Sequence, residues 1–156
     1  MTLRSCCVLG MGLLLSACGQ GAEEGDATSV SEAQALTGSG NTFTGSLIVS
    51  ATTVKAGQSF TATETATNLT NANVYPVIVG IRRLGFTVLS SVKPRTGLCR
   101  IAGSATCNFL NLAPNETQSY TLTLVSNTPG TYQLQGWTTS QSIAGGSSTT
   151  VNITVQ

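Results

Sequence analysis

The chain has 156 residues, of which only 8% are charged and none is His, and its formal net charge is +1. That length holds one domain of ordinary size with a leader and a tail. Scarce charge and abundant Thr, Ser, Asn and Gly argue against a helical protein, and against a nucleic-acid partner, which needs a dense basic stripe.

Residues 1–4 carry one positive charge, Arg4, and residues 7–15 are apolar apart from Gly10 and Gly12. The run is shorter than the ~20 residues a membrane span needs, so it reads as an export signal ending in the small residues Ser16 and Ala17. Leu15-Ser16-Ala17-Cys18 resembles the lipobox of bacterial lipoproteins. The resemblance implies that residues 1–17 are a lipoprotein signal peptide and that Cys18 becomes a lipidated N-terminus, held to membrane lipid by its acyl chains. The expected location is then the bacterial cell envelope, lipid-anchored. Gln20 stands where retention in the inner membrane would favour Asp, which leaves the outer membrane or cell surface open. Cys6 and Cys7 would leave with the signal peptide. Of the five cysteines, Cys99 and Cys107 then remain, and a close pair in an exported domain is expected to be bridged rather than free or metal-bound.

Residues 18–42 contain Glu23, Glu24, Asp26 and Glu32 with no basic residue, and read as an acidic flexible tether. Gly38-Ser39-Gly40-Asn41 marks its end. Beyond it stand Lys55, Arg82, Arg83, Lys93, Arg95 and Arg100 against Glu64 and Glu116, a net charge of about +4. Arg82, Arg83, Lys93 and Arg95 lie close in sequence. They read either as a solvated edge or as a site for an anionic partner such as an acidic glycan or a lipid headgroup.

Residues 43–156 are written as short alternating strands between turn residues. Leu47, Val49 and Ala51 share one face of 44–51, and Phe60, Ala62, Glu64 and Ala66 one face of 59–68. Val77, Val79 and Ile81 do so in 75–84, Phe86 and Val88 in 86–92, and Tyr120, Leu122 and Leu124 in 118–125. Tyr132 and Leu134 share a face of 131–137, and Val151, Ile153 and Val155 one of 149–156. A period of two without a crossover helix predicts an all-β, two-sheet sandwich of about seven to nine antiparallel strands. Glu64 falls on the core face, where an unpaired carboxylate is costly. A bulge, an open end of the face, or pairing with Arg82 or Arg83 would each relieve it.

Five segments then carry a second resemblance: Val54-Lys55-Ala56-Gly57-Gln58, Thr67-Asn68-Leu69-Thr70-Asn71-Ala72, Cys99 with Cys107, Leu112-Ala113-Pro114-Asn115-Glu116, and Pro129-Gly130-Thr131-Tyr132. In this order they are similar to the bacterial surface-protein repeats known as DUF11 and to CARDB-like immunoglobulin-like modules. The resemblance implies an immunoglobulin-like sandwich over 43–156 and a spacer or adhesive role without shared catalytic residues. Asn115 stands where the repeats often have Gly, and their proline-containing segment after the third strand has no clear counterpart.

General acid–base chemistry needs two groups in reach of each other, and nucleophiles need a base. Two carboxylates and no His supply neither, and they are too few for a zinc or calcium site. No enzyme activity, cofactor or metal is expected. The first functional expectation is a lipid-anchored, non-catalytic binding or scaffold domain with an envelope protein or glycan as partner. The alternatives are a carbohydrate- or matrix-binding adhesin that stacks its ligand on Trp137, Tyr132 or Tyr75, and a structural subunit of a surface filament or layer.

Overall fold

The computed structural model describes residues 43–109, 111–142 and 146–156. The expected signal peptide, Cys18 and the tether lie outside the described residues. In chain order the strands are β1 (Phe43–Val49), β2 (Thr53–Val54), β3 (Ser59–Asn68), β4 (Val77–Arg82), β5 (Thr87–Val92), β6 (Leu98–Ile101), β7 (Ser104–Phe109), β8 (Thr117–Val125), β9 (Gly130–Ser140) and β10 (Gly146–Val155).

β3 shows how the pattern becomes structure. Phe60, Ala62, Glu64, Ala66 and Asn68 are buried, while Ser59, Thr61, Thr63, Thr65 and Thr67 face outward. A β-branched Thr packs well on a pleated, half-solvated surface, so the alternation fixes both the strand and its inward side. β1 and β8 flank β3 antiparallel, and β5 completes a four-stranded sheet in the order β1-β3-β8-β5. Its outer face is tied together by hydroxyls: Ser46 to Thr65 at 2.6 Å, Thr63 to Thr121 at 2.9 Å, and Thr67 to Thr117 at 2.8 Å.

The second sheet has six strands in the order β2-β10-β9-β4-β7-β6. Leu47, Phe60, Leu122 and Leu124 of the first sheet meet Val77, Ile81, Leu134 and Ile153 of the second in one shared core. The all-β, two-sheet expectation therefore holds, and each inward set read from the sequence lies in that core or packs against it. Two details differ. Among the described residues ten strands form rather than seven to nine, and β2 pairs with β10 in parallel rather than antiparallel. β2 is two residues long and has no period to read. β6 is an edge strand whose Leu98 and Ile101 are both exposed, so its sequence does not alternate.

Three turns have the type II form, with an i to i+3 bond and a positive φ at the third residue: Lys55 to Gln58 through Gly57, Arg83 to Phe86 through Gly85, and Ala113 to Glu116 through Asn115. Asn115, at φ 60°, takes the left-handed position that the resembling repeats often give to Gly. Asn68, wholly buried, braces the same end of the molecule. Its amide nitrogen donates to the carbonyls of Ala72 (2.8 Å) and Leu112 (2.9 Å), and its oxygen accepts from the backbone N–H (2.9 Å) and hydroxyl (2.8 Å) of Thr70.

Candidate ligand-binding face

Leu134 and Thr138 of β9 point into the core, so Trp137 points outward from the six-stranded sheet. Its partner across the strand pair is Gly80 of β4. A side chain on Gly80 would collide with the Cε2, Cζ2 and Nε1 atoms of the indole, so the ring lies across the strand in the space glycine leaves empty. Trp137 itself is half-buried. Beside it runs a groove of about 400 Å³ lined by Ile78, Leu98, Arg100, Thr106, Asn108 and Trp137. An aromatic ring with hydroxyl, amide and guanidinium groups around it suits a ligand that is apolar on one face and hydroxylated at its rim.

The four basic residues that cluster in sequence do not form one patch. Arg82 ends β4 and is exposed on the outer face of the six-stranded sheet, one row from Trp137. Arg83 is half-buried in the following turn, where its Nη1 donates to the carbonyl of Phe86 at 2.9 Å. β5 then carries the chain back along the sandwich, so Lys93 and Arg95 stand on the order of 20 Å away. There they line a second groove of about 390 Å³ with Val92, Pro94, Glu116, Thr117, Gln118 and Ser119. Glu116 is already engaged: its Oε2 accepts the Ala113 N–H at 2.8 Å and its Oε1 the Gln118 amide at 2.6 Å. Those two bonds, with Arg95 nearby, hold its carboxyl below the usual range.

Tyr132 is drawn inward. Its ring packs edge-on against Phe86 at 5.3 Å and its hydroxyl donates to the Thr128 carbonyl at 2.9 Å. Tyr75 is 58% exposed but stands ahead of β4, roughly 17 Å along the chain from Gly80. Of the three aromatics considered, Trp137 has an outward ring and lines a groove of described residues. Cys99 and Cys107 are bridged, directly opposite each other in the β6–β7 pair with a Cα separation of 4.1 Å. The bridge holds the hairpin that brings Leu98 and Arg100 to the groove. Arg100, Thr106 and Asn108 were not singled out from sequence, because nothing in the chain order says that β7 and β6 stand beside β4.

Glu64 answers to none of the three expected reliefs. The pairings Leu47–Glu64 and Glu64–Tyr120 continue through it without a bulge, it is 1% exposed, and it pairs with neither arginine. Instead Thr138 Oγ1 donates to its Oε1 at 2.8 Å, and Gly136 leaves the space that Oε2 fills. Burial, opposed by the Thr138 bond, pushes its pKa up to about 7. Enclosed by the core, this carboxyl has no route to a ligand.

No protein-family model matches the chain, and no curated protein matches it in sequence. Among solved structures it is similar to a family 123 glycoside hydrolase from Clostridium perfringens, studied for glycolipid glycan hydrolysis. That match has a TM-score of 0.47 and 12% identity over 67% of this chain. It is also similar to an exo-β-N-acetylglucosaminidase from Vibrio harveyi, in an inactive mutant and in a complex with N-acetylglucosamine, with TM-scores of 0.39 and 0.40 and 16% and 15% identity over 73% of this chain. The chain spans 22% of the first structure and 18% of the others. Likeness of this degree bears on neither ligand nor activity.

Proposed function

We propose that the chain is a non-catalytic carbohydrate-binding module of the bacterial cell envelope, an immunoglobulin-like domain held to membrane lipid through Cys18. The observation that carries the proposal is the indole of Trp137, laid over Gly80 beside a groove of mixed polarity. The apolar C–H face of a sugar ring stacks on such a surface while its hydroxyls reach Thr106 and Asn108. The adhesive reading is therefore preferred to a bare scaffold. A filament subunit that exchanges its terminal strand is less favoured, because β10 pairs with β9 along all ten of its residues and is held by β2 at Thr154 and Val155.

The finer fold assignment has support in strand order. β1-β3-β8-β5 corresponds to the A-B-E-D sheet of immunoglobulin domains, and β10-β9-β4 to G-F-C. The β6–β7 hairpin stands beyond β4 but follows β5 in the chain, a departure from the usual wiring.

Trp137 is the single Trp, so intrinsic fluorescence reports this face directly. Titration with a panel of oligosaccharides is expected to shift the emission. Trp137→Ala should weaken binding measured by calorimetry roughly five- to ten-fold, and Gly80→Ala, which displaces the ring, should weaken it as well. Both variants should keep the wild-type circular dichroism spectrum. Absence of any fluorescence shift and of any heat across the panel would reject the proposal.

A further inference from the structure

The strand pairings lay out the outer face of the six-stranded sheet as rows. One row runs Ser148, Trp137, Gly80, Thr106, Arg100, and the next runs Thr150, Gln135, Arg82, Ser104. Neighbouring strands lie about 4.8 Å apart and successive rows about 7 Å apart. Arg100 is thus about 14 Å from Trp137 along its own row, and Arg82 lies one row over, beside Gly80. Because the indole occupies the place above Gly80, the span between ring and Arg100 is open over Thr106.

The two guanidinium groups have no counter-charge on this face. Outward positions of β4, β6, β7, β9 and β10 include no Asp or Glu among the described residues. Of the two side-chain carboxylates of residues 43–156, Glu64 is in the core and Glu116 lies by the second groove, just before β8 of the other sheet. A chain with so few charges does little to neutralise the field of two unpaired arginines at long range. The guanidinium is planar and always charged, and its donors match a carboxylate in a two-pronged arrangement.

Resting on the reading of Trp137 as a saccharide platform, we infer that the saccharide is a uronic-acid polymer, with sugar rings stacked at Trp137 and carboxylates taken by Arg100 and Arg82. Neutral sugars could stack on the ring but would leave both arginines unused. The Lys93–Arg95 groove, where Glu116 offsets the positive charge, supplies an internal comparison for nonspecific attraction.

The test uses the intact domain and calorimetry with three uronate polymers, polygalacturonate, alginate and hyaluronate. Each is paired with its methyl-esterified form, which keeps the backbone and removes the charge, and dextran sulfate serves as a second polyanion. At least one acid form should bind on the order of ten-fold more tightly than its ester, with the advantage shrinking as salt rises. Arg82→Gln with Arg100→Gln should abolish that advantage, so that the acid form binds no more tightly than its ester, and Lys93→Gln with Arg95→Gln should leave the advantage unchanged. Equal binding of acid and ester in every pair would overturn the inference and leave the platform standing. So would a loss as large in the Lys93 and Arg95 variant, or tighter binding of dextran sulfate than of any uronate. If no polymer binds in either form, the inference falls, and the oligosaccharide panel decides separately whether the platform falls with it.

Discussion

Glu64 concentrates the electrostatics of the core in one side chain. Its folded pKa of about 7 stands above the usual 4.5, so the native state holds a proton that the unfolded chain releases in this range. Stability from this group is complete below about pH 4.5 and falls as pH rises to 7, a loss of about 3 kcal/mol. Glu116 works the opposite way: its lowered pKa gives stability that is present above about pH 4.5 and is lost as pH falls below it, so it changes little between pH 5 and pH 8. Glu64→Gln keeps an acceptor for Thr138 and removes the titration. Denaturant melts at pH 5 and pH 8 should show the wild type losing stability at the higher pH and the variant nearly constant. A variant no more stable than wild type at pH 8 would count against burial as the source of the effect.

The β6–β7 hairpin is the element on which the proposed binding face depends. Its bridge closes a loop with a sequence separation of eight, for which chain entropy gives about 2–3 kcal/mol. The main core does not rest on β6, whose Leu98 and Ile101 are exposed. Reduction should therefore lower the melting temperature by several degrees without unfolding the domain at room temperature, while amide exchange accelerates at Leu98–Ile101. Saccharide affinity should fall with it, because Leu98 and Arg100 lose their fixed place. Equal exchange rates in the oxidised and reduced protein would show that the hairpin holds itself.

What could be read from sequence divides at this same scale. Alternation told which side of each strand faces inward, and the opposite parity of Trp137 to Leu134 put its ring outside. Alternation is silent on which strands are neighbours. The pairings of β4 with β9 and β7 join segments about 25 to 60 residues apart, and together with the β6–β7 hairpin they bring Gly80, Thr106 and Arg100 to Trp137. For the same reason four basic residues close in sequence reached different parts of the sandwich, since strand β5 intervenes. The burial of Glu64 was legible from its register. The glycine that makes room for it was not, because Gly136 lies on the other sheet.

For the whole molecule, the proposed anchor makes a direct claim about covalent structure. Protein extracted from a membrane fraction should have an intact mass lacking residues 1–17 and raised by acyl chains on Cys18. A mass without acyl chains, or a different N-terminus, would remove the lipid anchor and leave the carbohydrate-binding proposal to stand on the sandwich alone.

β2 and β10 run in parallel, joined by bonds from Thr154 N to Thr52 O (2.8 Å), Gln156 N to Val54 O (2.9 Å) and Ala56 N to Gln156 O (2.7 Å). Because β1 leads into β2 in the same direction, Phe43 and Gln156 emerge at opposite poles of the sandwich. A pull between those two points slides β2 lengthwise against β10 and loads the three bonds together in shear, where an antiparallel pair pulled from one end would open bond by bond. The domain is thus wired to stay closed under tension applied between its two poles.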